Sequence, residues 1–326
     1  MPQFSNQTEL PMPIAVWLAH DTYDRAEAGL SATSLLKPIR QVILSQRVPE
    51  GEGIVDVSSL IKSRIGTAIH DAIERSWMHE NLPQTLASLN VPEKLIKRVH
   101  VNPEQLPDGK PSIPMYLELR SSKEVLGVKI TGKFDFVADG HLMDFKTTGT
   151  YAYTSGNKDD DYIMQGSIYR WLNPEIVTDE FMSICFIFTD WQKTRYLSDP
   201  RNYPKSQILA RQFKMHPASV VQAYVEERVR LLKFYEDKPE AELPECTDKE
   251  LWRKPDQFKY YKNPQKMTKS TANFETLGEA NQRYLDDGAV GVVKIVKGGV
   301  SACLYCSAYT MCTQKDKLIE SGELKV

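Results

Sequence analysis

The segment GKFDFVADGHLMDFKTT carries two carboxylates and one ammonium group at a spacing suited to phosphoryl chemistry. Asp139-Gly140 is a favoured two-residue hairpin turn. Pairing Ala138 with His141 across it sets Phe136 opposite Met143, Asp135 opposite Asp144 and Phe134 opposite Phe145. Phe134, Phe136, Met143 and Phe145 then share an apolar face, while Asp135, Asp144 and Lys146 share the other. Directly opposed residues hold their Cβ atoms roughly 4.5–5.5 Å apart, where like charges repel unless something offsets them. A divalent cation offsets them. Magnesium or manganese takes hard oxygen ligands and could hold a scissile phosphate while acidifying a water. Lys146 is placed to orient that water or to neutralise charge growing on phosphorus. An ordinary solvated hairpin face is the alternative for the same three residues.

Further candidates flank the hairpin. GTAIH places Gly66 and His70 one helical turn apart, and QGSIY places Gln165 and Tyr169 on one helix face. Glu118, upstream, is a further candidate carboxylate. Taken singly, His70 reads equally as a core or surface histidine, and Gln165 with Tyr169 as a polar contact between helices. In order, GTAIH, GKFD, DFK and QGSIY resemble the PD-(D/E)XK nucleases, in particular the RecB-like exonuclease branch found in phage recombination modules. The four motifs span residues 66–169, about a third of the chain. The resemblance implies a metal held by His70, Asp135, Asp144 and the Phe145 carbonyl, with Lys146 catalytic and Gln165 and Tyr169 assisting.

Five cysteines occur, and Cys303-x-x-Cys306-x5-Cys312 has metal-ligand spacing, with Cys246 able to supply a fourth thiolate. Four thiolates suit a 4Fe-4S cluster first and structural zinc second, with unligated cysteines as the remaining alternative. The spacing is similar to that closing the iron–sulfur domain of AddB-type and CRISPR-associated RecB-like nucleases. In those relatives the first cysteine precedes the nuclease core, whereas this chain has none before Cys185. Cys185, in SICFIF, reads as a buried core thiol.

These residues need elements to position them. Residues 58–80 have helical apolar spacing, as do 161–172 and 216–236. MYLELRS, VLGVKITG, KFDFVADG and HLMDFKTT read as strands, and SICFIFTDWQKTRYL as two more. After Lys238 a proline- and acid-rich connector leads to a short helix near 276–286 and GVVKIVKGG. The expectation is an α/β protein with a restriction-endonuclease-like core, a mixed central sheet flanked by helices. That core occupies residues 1–240 with an N-terminal helical region, and 241–326 forms a small cysteine-containing extension.

The 326 residues carry a formal net charge of −2, so any hold on DNA must come from local basic surface. KYYKNPQKMTK offers Lys259, Lys262, Lys266 and Lys269 for phosphates and Tyr260 and Tyr261 for base stacking, unless the tyrosines pack inward. Lys193, Arg195, Arg201, Lys205, Arg211 and Lys214 form a second basic stretch that could line a groove towards the metal. The N-terminus lacks signal-peptide character and no segment has the ~20 apolar residues of a membrane span, which suggests a cytoplasmic protein, in the host if phage-encoded. The expected activity is a Mg- or Mn-dependent DNA exonuclease in recombination or repair, acting on single strands or duplex ends beside a recombinase or annealing protein. A catalytically silent DNA-binding subunit that keeps the fold is the alternative.

Overall fold

The computed structural model describes residues 3–20, 29–49 and 54–326. In chain order the elements are β1 (Gln3–Ser5), α1 (Met12–Ala19), β2 (Leu30–Ser31), α2 (Ala32–Leu35), α3 (Ile39–Arg47), β3 (Ile54–Asp56), α4 (Ile61–Met78), α5 (Leu82–Ser88), α6 (Glu93–Ile96), β4 (Val99–Val101), β5 (Ile113–Leu117), β6 (Arg120–Val125), β7 (Val128–Lys133), β8 (Phe136–Ala138) and β9 (His141–Thr148). There follow α7 (Thr150–Ser155), α8 (Asp159–Leu172), β10 (Phe181–Phe188), α9 (Lys193–Ser198), β11 (Ile208–Lys214), α10 (Ala218–Tyr235), β12 (Gln257–Tyr261), β13 (Ala272–Phe274), α11 (Leu277–Asp286), β14 (Val292–Val296) and α12 (Thr313–Glu320). No helix among the described residues is long and apolar enough to cross a membrane.

The chain forms two compact units, Met1–Leu36 with Glu50–Arg230, and Lys37–Pro49 with Leu231–Val326. In the first, a six-stranded mixed sheet runs β11-β10-β9-β8-β5-β4, with β9 parallel to β10 and antiparallel to β8. β10 reads FMSICFIF because it is an interior strand, nearly continuously apolar. Helix α8 begins with three aspartates that complement its dipole and ends with Arg170. It packs on the sheet through Ile168, Tyr169 and Trp171, against Val137, Leu142, Met182 and Ile184. Helix α4 places Ile65, Ile69, Ile73 and Trp77 on one stripe, which is only half-buried. It meets the sheet through Trp77 on Phe136, ring centroids 5.0 Å apart, and through His70 on Phe145, 5.8 Å apart.

The second unit contains the antiparallel sheet β13-β12-β14, backed by α11, and the segment that carries α3. Residues 37–49 join it through arginines. Arg40 donates to the Leu243 carbonyl at 3.1 Å and pairs with Glu240, and Arg47 donates to the Lys238 carbonyl at 2.7 Å. The division thus falls inside α10 and takes in an N-terminal segment, unlike the contiguous 1–240 and 241–326 expected from composition.

Three expected strands differ for local reasons. MYLELRS splits at Glu118, whose φ of 51° ends β5 and turns the chain into β6 of a separate sheet, β2-β7-β6. VLGVKITG folds back at Leu126-Gly127, both at positive φ, so it contributes to two strands. KTRYLS is helix α9, not a strand, since apart from half-buried Tyr196 it has no buried side to seat in a sheet. The central hairpin keeps its expected register, Phe136 with Met143, Val137 with Leu142 and Ala138 with His141. Asp139 at φ 48° and Gly140 at φ 87° supply the two left-handed backbone conformations that such a turn requires. A Cβ on Gly140 would lie 2.2 Å from Thr178 Oγ1. Gly140→Ala should therefore lower stability by about 1 kcal/mol or more, measured as a fall in the urea midpoint; an unchanged midpoint would mean the turn tolerates another geometry.

Candidate functional site

The β8–β9 ladder ends at Phe136 and Met143, one residue short of Asp135. Asp135 lies where the chain leaves the strand, and its Oδ2 accepts the Phe145 N–H at 2.8 Å. The break also sends Phe134 into the main core with Val137 and Leu142, whereas Phe136 and Phe145 face α4, their rings 6.4 Å apart. The expected single apolar face is therefore divided. On the neighbouring strand, the Glu118 N–H donates to the Asp135 carbonyl at 3.1 Å. The left-handed backbone at Glu118 is costly for a non-glycine residue, and such strain gathers where a side chain must be aimed.

Helix α4 brings His70 to the same place. Its Nε2 stands 3.1 Å from the Phe145 carbonyl, and its Nδ1 3.5 Å from Asp135 Oδ1 and 3.8 Å from Glu118 Oε1. Donor atoms of His70, Glu118 and Asp135 all lie within 4.8 Å of one another. Lys133 Nζ touches the other Glu118 oxygen at 2.5 Å. Asp144 is not in this group. It is 2% exposed, and Lys146 Nζ lies 2.6 Å from its Oδ2, at an angle unlike that of a directed hydrogen bond. Gln165 and Tyr169 are buried on α8 and bond each other, Nε2 donating to the phenol oxygen at 2.8 Å.

Two residues gain weight over the sequence reading. Glu118 replaces Asp144 in the tightest donor group, and only its place upstream of GKFD hinted at this. Tyr162 sets its ring 5.7 Å from Lys146 Nζ, signalled by its position one turn before Gln165 on α8.

The charges explain the protonation states. Burial opposes the His70 imidazolium, but the neighbouring Asp135 and Glu118 carboxylates overcome it and raise its pKa from 6.5 to about 10. Burial raises Asp144 to about 6, against the pull of Lys146 and with the push of Asp135. Burial also works against the Asp135 charge, yet His70, Lys146 and the Phe145 N–H hold its pKa below the usual value. Lys146 is disfavoured by burial and held charged by Asp144 and Asp135. Three carboxylates thus face His70, Lys133 and Lys146, and the imidazolium supplies the positive charge among its oxygen neighbours.

In the second unit, Cys303 is buried beside Leu251, Val300 and Leu318, and Cys246, Cys306 and Cys312 are half-buried. Burial, then Glu250 and the other three thiols, push Cys246 up to about 12. Gln314 clamps Cys246 by accepting its N–H at 2.8 Å and donating to its carbonyl at 3.0 Å. Arg40, 4% exposed, directs its Nε–H at Cys312 Sγ, 3.2 Å away. Among the described residues no three of these sulfurs lie within 4.8 Å of one another. Cys185 is half-buried in β10, less enclosed than expected.

The basic stretches are reassigned in part. Tyr260 and Tyr261 are 0% and 9% exposed, so they pack inward and offer no base platform. Lys259 stands directly opposite Lys294 across β12 and β14. Arg211 pairs with Asp159 and lies against the Tyr153 and Phe213 rings, which removes it from the expected groove lining. Lys214 reaches Glu180 at 3.6 Å.

A Ser-His-Asp chain also occurs. His141 Nδ1 is 2.8 Å from Asp179 Oδ2 and its Nε2 2.8 Å from Ser183 Oγ. Ser183 is buried within β10, so the chain ties β9 and β10 to the preceding loop, with no exposed nucleophile.

Fold and site together define a mixed α/β protein with a histidine–carboxylate–lysine centre in one unit and four cysteines in the other. No protein-family profile matches the sequence, and no curated protein matches it. Several solved structures are similar at low level. The crystal structure of SSO0001 has a TM-score of 0.39 at 15% identity, covering 67% of this chain and 83% of that one. That of a phage-related exonuclease from Haemophilus somnus 129PT has a TM-score of 0.30 at 15% identity, covering 66% and 96%.

In metal-free protein His70 should remain an imidazolium through pH 9, read from its ring chemical shifts. Its share of metal-free stability is complete below pH 6.5 and disappears as pH rises through about 10. A ring already neutral at pH 7 would contradict this charge balance.

Proposed function

We propose that the protein is a Mg- or Mn-dependent deoxyribonuclease, an exonuclease of the PD-(D/E)XK class with RecB-like motifs. The observation that carries this reading is the convergence of His70, Glu118 and Asp135 within 4.8 Å, beside the Phe145 carbonyl and the Asp144–Lys146 pair. Hard oxygen donors predominate, and the imidazolium among them stands where a cation would relieve the same charge. His70, Glu118, Asp135 and the Phe145 carbonyl would hold the ion, with Asp144 as a further carboxylate. A divalent ion in such a set supplies Lewis-acid stabilisation of a phosphoryl group.

The chain's own residues do the rest. Lys146 presents an ammonium, kept charged and oriented by Asp144, to neutralise negative charge developing on phosphorus or to orient the attacking water. The Tyr162 ring lies beside that ammonium. Gln165 and Tyr169 are bonded to each other, so their role is to hold this side of α8 in shape until a phosphate competes for them.

DNA is the proposed substrate, and a recombinase or annealing protein the proposed partner. Lys259 opposite Lys294 is a like-charge pair that a phosphodiester backbone would relieve. For the cysteines we favour a 4Fe-4S cluster over zinc. A single zinc ion would draw its sulfurs to about 3.8 Å from one another, given Zn–S bonds of about 2.3 Å. Among the described residues no three of the four sulfurs lie within 4.8 Å of one another, a looser spacing that suits a bulkier cluster better than one ion.

Digestion of 5′- and 3′-labelled single- and double-stranded DNA with manganese tests the activity. Lys146→Ala should reduce kcat about 10²–10³-fold, and Asp135→Asn should remove cutting while DNA binding persists; undiminished cleavage in both would refute the assignment. Anaerobically purified protein should contain four irons and four sulfides per chain with visible charge-transfer absorbance, lost in Cys303→Ser. One zinc and no iron would show that the unit is a zinc site.

A further inference from the structure

A second feature of the first unit is untouched by the carboxylate centre. An open cavity of about 900 Å³ lies between the end of α8, the 174–180 segment, Lys123 of β6 and the start of α10. Its floor is apolar, formed by Trp171, Val177, Met215 and Pro217. Its rim carries three cations, Lys123, Arg170 and Lys214, against one carboxylate, Glu180, with the His216 imidazole as a further donor.

These charges are poorly compensated. Lys123 Nζ lies over the Trp171 ring, 4.5 Å from its centroid, and meets no carboxylate among the described residues. Arg170 has no hydrogen-bond or ion-pair partner for its guanidinium among the described residues. Lys214 meets only exposed Glu180, at 3.6 Å. In a chain with a net charge of −2, gathering three such cations around one concavity costs mutual repulsion that a bound anion would relieve. The indole is fixed by its N–H, which donates to Gln222 Oε1 at 3.0 Å, so the floor is preformed. A preformed apolar floor with a few convergent polar groups is how small-ligand sites are built.

We propose that this cavity binds a nucleoside 5′-monophosphate, its phosphate on Arg170, Lys123 and Lys214 and its flat body on the apolar floor. Arg170 can engage two phosphate oxygens at once, which the two lysines cannot. The site takes its ligand either as a free nucleotide or as the phosphorylated end of a strand. Neither source requires the carboxylate centre to be active.

Calorimetric titration of the full chain in EDTA tests this apart from the nuclease reading, because no divalent ion is present. Deoxyadenosine monophosphate should bind saturably, with deoxyadenosine and inorganic phosphate each at least tenfold weaker. Arg170→Gln with Lys123→Gln should weaken nucleotide binding at least tenfold without moving the thermal midpoint, and Lys214→Gln alone should weaken it less. A 5′-phosphorylated oligonucleotide that binds tighter than the free nucleotide assigns the site to a strand end, and equal or weaker binding assigns it to the free nucleotide. Absence of saturable nucleotide binding, equal binding of deoxyadenosine or of phosphate alone, or unchanged affinity in the double variant would each overturn the proposal. Nucleotide binding with no nuclease activity would leave it standing.

Discussion

Placing several carboxylates beside one another inside a folded chain is the constraint on which the first unit depends. Glu118, Asp135 and Asp144 come from three chain segments and reach one neighbourhood because a tight turn, a strand break and a strained residue hold them there. Left alone they would repel. The metal-free protein answers with His70, Lys133 and Lys146, and the elevated pKa of His70 measures how strongly that corner asks for positive charge. A site that must protonate a histidine to stay balanced is one in which a divalent ion can replace a proton.

The rest of the unit serves this placement. β10 buries its apolar run between β9 and β11, which fixes β9 in the sheet interior and with it the alternation that buries Asp144 beside Leu142. Helix α8 approaches so closely that a Cβ on Gly132 would meet the Leu172 side chain at 2.6 Å, and Tyr162 and Gln165 ride on that helix. Helix α4 makes fewer buried contacts, yet its aromatic contacts from Trp77 and His70 pin it where the imidazole is needed. Order is thus spent on the residues that set charge positions.

The sequence made the hairpin legible because turn chemistry and two-residue periodicity are local, and the register at Phe136, Val137 and Ala138 follows from them alone. The helical pairs Gly66 with His70 and Gln165 with Tyr169 were legible for the same reason. Glu118 was legible only as an upstream candidate carboxylate: its place in the donor group rests on a positive φ and on a hydrogen bond to Asp135, neither of which has a signature in MYLELRS. Nor was the membership of residues 37–49 in the cysteine unit, which depends on Arg40 reaching carbonyls about two hundred positions away. The burial of both Tyr260 and Tyr261 was likewise settled by tertiary contacts, since adjacent strand residues point to opposite faces and both faces are covered here.

The proposed function requires one divalent-ion site in the first unit. Anomalous diffraction from manganese-soaked crystals tests it most directly. The account expects a single strong peak bounded by His70, Glu118, Asp135 and the Phe145 carbonyl, with the imidazole turned from proton carrier to ligand. A peak elsewhere in that unit, or none at saturating manganese, would contradict it.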